Sequence, residues 1–175
     1  MRSRKLTWAV LLGTAIVITG LYHARNALAT AAGGFTGTTL ALGRFGEIDV
    51  FNQLIPPDGN SGGNLWLSMQ KTKGSSDLYV QSNVWQPGGS TGWHSHPGHS
   101  LIIVTAGTVT AYEGNDPSCK PSVYAQGMGF VDPGGDHVHI LRNEGAIEAR
   151  TITVQLIPAG AQRRIDASSP GTCPF

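Results

Sequence analysis

Gly88-Gly-Ser-Thr-Gly-Trp-His94-Ser-His96-Pro-Gly-His99-Ser100 is one of two histidine clusters in the chain, the other being Asp136-His137-Val-His139. In an extended strand residues i and i+2 point to the same side, so His94 and His96 face one way together, as do His137 and His139. Imidazole is the commonest protein ligand for borderline transition metals. Four imidazoles on two strands that face each other inside one core are enough to hold a single metal ion with positions left open.

The flanking sequence predicts strands and no helix. Short β-type runs occupy 48–55, 65–70, 78–86, 92–96, 101–105, 108–112, 123–125, 129–132, 137–142 and 147–157. Turn signals such as Pro56-Pro-Asp-Gly, Pro87-Gly-Gly, Ala106-Gly, Asn115-Asp-Pro, Pro133-Gly-Gly and Asn143-Glu-Gly separate them. Many short strands at this spacing imply an all-β antiparallel sandwich or barrel. Alternation assigns faces in the third run, where Leu78, Val80 and Val84 share one side while Gln81 and Asn83 lie on the other. Leu101-Ile-Ile-Val is apolar at every position instead. Such a strand is buried on both faces, or meets the core on one face and a second sheet or partner subunit on the other, which leads us to expect a homodimer.

Residues 1–29 have a basic head (Arg2, Arg4, Lys5), an apolar run from Leu6 to about Tyr22, and Ala27-Leu-Ala29, the three-part pattern of a secretory signal peptide cleaved after Ala29. The alternative is an uncleaved membrane anchor, since the run approaches the length needed to span a bilayer. Cleavage removes four of twelve basic residues and none of the eleven acids, leaving a net charge of −3. With no basic patch, neither nucleic acid nor an anionic membrane surface is an expected partner. Residues 30–46 are small and Gly-rich and read as a flexible linker, 47–160 as the barrel, and 161–175 as a patternless tail. The two cysteines, Cys119 and Cys173, sit in turn-rich segments. In an exported protein, periplasmic or extracellular, that pair reads as a disulfide tying down the tail.

The two histidine clusters carry a resemblance to the cupin family. Gly88, five residues, His94-Ser-His96, three residues, Ser100, six residues and Gly107 reproduce the spacing of the first cupin motif, except that Ser100 stands where the family has Glu. Gly127, five residues, Pro133-Gly-Gly135, then His139, three residues and Asn143 match the second motif with one extra residue before the histidine. The resemblance covers about residues 78–157 and implies a double-stranded β-helix, or jelly roll, holding one divalent transition metal ion (Fe, Zn, Mn, Cu or Ni).

Carried over residue by residue, it implicates His94, His96 and His139 as ligands. Same-face parity nominates His137 as substitute for the missing Glu, with His99 the other candidate. Histidines titrating near their ordinary pKa would release the ion by about pH 5. Asn143 is expected to be structural, Trp93 a packing or rim residue, and Asp132, Asp136 and Glu113 the nearby carboxylates. The expected function is that of a mononuclear metalloenzyme acting on a small organic molecule (oxygenase, isomerase or lyase type). The alternative is a non-catalytic binding protein for a metal or small ligand.

Overall fold

The computed structural model describes residues 29–54 and 66–175. The signal or anchor segment and the Pro56-Pro-Asp-Gly turn therefore lie outside the described residues. Among the described residues there are twelve strands: β1 (Gly33–Phe45), β2 (Asp49–Leu54), β3 (Trp66–Lys71), β4 (Ser76–Ser90), β5 (His94–His96), β6 (Ser100–Ala106), β7 (Thr108–Glu113), β8 (Ser122–Ala125), β9 (Gly129–Asp132), β10 (Gly135–Arg142), β11 (Ala149–Pro158) and β12 (Ile165–Asp166). Ten of them form a nearly closed antiparallel barrel of two faces, ordered β1-β4-β11-β6-β9 and β12-β5-β10-β7-β8. The faces join where Arg142 of β10 pairs with Ser90 of β4. This is the expected all-β double-stranded β-helix.

Two expectations about organisation need correction. Part of the expected linker, Gly33–Phe45, is a barrel strand, paired with β4 from Phe45↔Ser76 to Gly33↔Ser90. A Cβ on Gly37 would stand 2.5 Å from the Gln81 amide nitrogen, so a larger residue there would have to push the Gln81 side chain aside. Phe35 packs on Trp85 with ring centroids 4.9 Å apart, and Arg44 forms an ion pair with buried Asp77 at 2.7 Å. The Arg44 hydrogen bond, helped by the Gly160 N–H, holds the Asp77 carboxyl down at about 2. Conversely, β2 and β3 pair only with each other, as a two-stranded sheet apart from the barrel.

The face assignment in β4 turns out to place the polar side inward. Asn83 and Trp85 are buried, while Leu78, Val80 and Val84 are half-buried on the outside. Register carries the outer apolar face across five strands in one row, Val131↔Leu101↔Val154↔Val80↔Ala41. The run Leu101-Ile-Ile-Val splits accordingly: Ile102 and Val104 are buried, and Leu101 and Ile103 are 52% and 55% exposed. One core cluster centres on Trp85, Val104, Val109 and Leu141, and a second on Trp93, Tyr112, Ile140 and Cys173. Trp93 is thus a packing residue, stacked near Phe175.

Asn143 has the expected structural role. Its Nδ2 donates to the carbonyls of Trp85 (3.1 Å) and Ile147 (2.8 Å), and its Oδ1 accepts from Gly145 N (3.0 Å).

Cys119 and Cys173 form a disulfide across 54 residues, with Cα atoms 5.2 Å apart. The tail it secures adds β12 to the edge of β5 through Ile165↔Ser95 and Asp166↔His94. Closing a loop of that length removes about 4 kcal/mol of unfolded-chain entropy in the chain-entropy model. Cys119→Ser/Cys173→Ser should lower unfolding stability in urea by about that amount; a change below about 1 kcal/mol would show that the bridge is dispensable to the fold.

Candidate metal centre

β5 and β10 lie side by side with His94 opposite His139, and the ligand atoms of His94, His96 and His139 all fall within 4.8 Å of one another. His94 and His139 are 4% exposed. Each ring is fixed by a hydrogen bond from its Nδ1–H to a backbone carbonyl: His94 to Gly92 (2.8 Å), His96 to Arg163 (2.6 Å) and His139 to His137 (3.3 Å). A carbonyl can only accept, so Nδ1 carries the proton in all three rings. The Nε2 lone pairs are left to face the common centre, the arrangement that outer-shell partners impose on metal-binding imidazoles.

The fourth expected histidine lies to one side. His137 joins a different group with Asp132 and His139, and its Nε2 is held by the Glu113 carboxylate. A register shift between Gly135 and His139 accompanies the extra residue of the second motif, so the parity of positions 137 and 139 is not that of a regular strand. His99 lies against a separate cavity bounded by Leu156, Ile157 and Pro158. Ser100 is buried at the start of β6, facing the histidines, with Asp132 of β9 directly opposite it in the ladder.

Asp132 is 5% exposed. Its Oδ1 accepts from Gly134 N at 3.0 Å, while its Oδ2 has no hydrogen-bond partner and stands 3.5 Å from His96 Nε2. Gly134 has φ +70°, and a Cβ there would collide with the Gly98 carbonyl, so this turn admits only glycine. Glu113 and Asp136 do not line the histidine cavity.

That cavity has a volume of about 160 Å³. Its walls are mixed, with Gln81, Asn83 and Gln155 facing Phe35, Trp85 and Leu141. Arg163 and Arg164 complete its rim. Arg163 lies over the Tyr79 ring and donates to Gln155 and Thr39, each at 3.0 Å, while Arg164 donates to the Thr91 carbonyl at 2.6 Å. Neither arginine carried any sequence signal, because apart from the Arg163–Gln155 pair their contacts in the site reach residues 67 to 124 positions away.

Three imidazole lone pairs within 4.8 Å of one another, with the Asp132 carboxylate oxygen 3.5 Å from that of His96, fit a divalent cation. That ion set is suited to Fe, Zn, Mn, Cu or Ni alike.

Burial governs the electrostatics. It pushes the pKa of all three histidines down, His139 to about 4 despite the opposing pull of Asp132, and His94 further with help from the charges on His139 and Arg164. Proton competition for a bound ion therefore begins at lower pH than the expectation from ordinary histidines. In the metal-free protein these shifts act on stability. The unfolded chain takes up protons near pH 6.5 and the folded chain does not, so stability is full above that pH and falls as pH drops toward the folded values. The slope is about 1.4 kcal/mol per pH unit for each buried neutral histidine. The melting temperature of metal-free protein should fall steeply between pH 6.5 and 4.5, and the His94→Ala/His139→Ala variant should flatten that dependence. An unchanged slope in the variant would place the titration elsewhere.

Comparison with known proteins agrees with this geometry. Residues 83–155 match the cupin domain family model. No curated protein matches the chain. Solved structures with similar folds include an uncharacterized conserved protein with a double-stranded beta-helix domain from Klebsiella pneumoniae, at 21% identity and TM-score 0.44, covering 52% of this chain and 76% of that one. A cupin superfamily protein from Desulfitobacterium hafniense matches at 12% identity and TM-score 0.40, covering 46% and 67%. An oxalate oxidase matches at 22% identity and TM-score 0.39, covering 47% of this chain and 46% of that one, less than half its length. The spacing of both histidine motifs, the jelly-roll topology and the family match converge on one stretch of the chain: residues 83–155 match the cupin domain.

Proposed function

We propose that the protein is a mononuclear metalloenzyme acting on a small organic anion, with His94, His96 and His139 as its imidazole ligands. The observation that carries this reading is the triple Nδ1 anchoring, which turns three buried Nε2 lone pairs toward one point beside a mixed polar and apolar cavity. Bound there, a divalent ion would act as a Lewis acid toward a substrate oxygen or would bind O2. The chain's own residues supply the rest. Arg163 and Arg164 place positive charge at the rim and orient an anionic group, and each is held rigid by its own hydrogen bonds. Trp85, Phe35 and Leu141 exclude water on the apolar side. The cavity is well below the roughly 300–1,000 Å³ typical for drug-sized ligands, so the substrate is small.

The second reading, a non-catalytic binding protein for a metal or small ligand, shares the same cavity and differs in turnover. The disulfide is consistent with export, to the periplasm or the extracellular space.

Protein purified without chelator or histidine tag should contain close to one equivalent of transition metal by elemental analysis, and His94→Ala/His96→Ala should contain almost none. Metal-loaded protein incubated with a panel of small carboxylic acids should consume at least one of them, and the metal-free form should not. Metal-dependent binding without consumption would favour the second reading, and wild-type protein that takes up no metal would sink the enzyme and leave only a metal-free small-ligand binder.

As partner we propose a second copy of the chain, docked face to face through the outer row of Leu101, Val131, Val154 and Val80. Contiguous apolar faces of this kind are uncommon on monomers, and identical sheets pack readily about 10 Å apart. Leu101 points away from the core, so Leu101→Lys should leave folding intact while converting a dimer to a monomer by light scattering. A wild-type monomer at micromolar concentration would refute the dimer.

A further inference from the structure

The geometry points to Asp132 as the carboxylate ligand of this centre, moved one strand over to compensate for the serine at position 100. The inference rests on the metal-centre reading and goes beyond it by naming the fourth ligand.

Ser100 of β6 and Asp132 of β9 are direct partners in the ladder, so their side chains lie on the same face. Both line the histidine cavity, whereas His137, Glu113 and His99 do not. A carboxylate sent across from β9 thus reaches the space that a longer side chain on β6 would otherwise fill. Gly134 holds Oδ1 of Asp132 and leaves Oδ2 free.

Oδ2 is a buried, unpartnered oxygen, a state that costs several kcal/mol for a charged group unless a cation or donor answers it. His96 Nε2 cannot be that donor, because its proton is committed to the Arg163 carbonyl through Nδ1. The 3.5 Å between the two atoms is longer than an O–H···N hydrogen bond from a protonated acid. It does match two donors on one ion: bonds of about 2.1 Å in tetrahedral geometry put neighbouring ligand atoms about 3.4 Å apart.

His137 is less well placed. Its Nε2 lies against the Glu113 carboxylate, and its Nδ1 stands 3.7 Å from the Oδ1 of Asp132. It flanks the carboxylate from outside the cavity without a hydrogen bond to it.

The test is Zn²⁺ affinity by competition with a chromogenic chelator, alongside the visible spectrum of the Co²⁺ form, on the folded mature protein. Asp132→Asn keeps size and removes charge. It should weaken Zn²⁺ binding by about 100-fold and change the Co²⁺ absorption, with circular dichroism unchanged, while His137→Ala should cost less than about 10-fold. Adding Ser100→Glu to Asp132→Ala should recover most of the lost affinity, because it returns a carboxylate to the same face. Asp132→Asn within about threefold of wild type would overturn the inference, as would a His137→Ala loss larger than that of Asp132→Asn. Failure of wild-type protein to bind Zn²⁺ or Co²⁺ would instead overturn the metal-centre reading itself.

Discussion

The donation of three imidazole Nδ1 protons to three backbone carbonyls is the constraint on which the site depends. A histidine with both nitrogens free rotates and exchanges tautomers; one whose Nδ1–H is committed presents a single lone pair in a fixed direction. Two of the acceptors, Gly92 and His137, lie two residues from the rings they hold. The third is the Arg163 carbonyl, 67 residues from His96. The C-terminal tail is therefore part of the histidine cluster, and its own anchors, β12 on β5 and the disulfide to Cys119, indirectly fix the His96 ring.

That commitment explains why one sheet is polar inside and apolar outside. The inner face of β4 and β11 carries Gln81, Asn83, Thr151, Thr153 and Gln155, whose polar groups largely satisfy one another. Asn83 Nδ2 donates to Thr151 (3.1 Å) and Thr153 (3.0 Å), and Gln155 accepts from Arg163. A buried polar network is tolerable when its members are paired, and it keeps a cavity open where aliphatic side chains would close it. Stability comes from elsewhere in the barrel, from the Trp85–Val104–Val109 cluster and the Trp93–Tyr112–Ile140 cluster. The apolar side chains displaced from this interior form the outer row of the same sheet.

The strand in the expected linker follows the same logic. β1 closes the edge of β4 next to the polar face, where the backbone at Gly37 lies against the Gln81 and Asn83 side chains. A segment that must lie close against long polar side chains is selected for small residues, and by composition alone it looks like a flexible arm.

Sequence periodicity and spacing by themselves determined the all-β class, most strand positions and the disulfide pairing, while it was the resemblance to cupins that singled out His94, His96 and His139 from the four paired histidines. Each of these depends on local alternation, on turn residues or on a motif of a few residues, and such features survive in one dimension. Which side of β4 faces inward, the barrel strand at 33–45, the Arg163 and Arg164 rim and the meeting of Asp132 with Ser100 were decided only by the tertiary structure. Alternation separates two faces without saying which is inside, and here the usual rule is reversed because the interior is a site. The Ser100–Asp132 pairing depends on the register between β6 and β9, and the Arg163–His96 bond on where the tail crosses β5. Cross-strand register and chain return are set by long-range packing, which residue types along the chain do not encode one at a time.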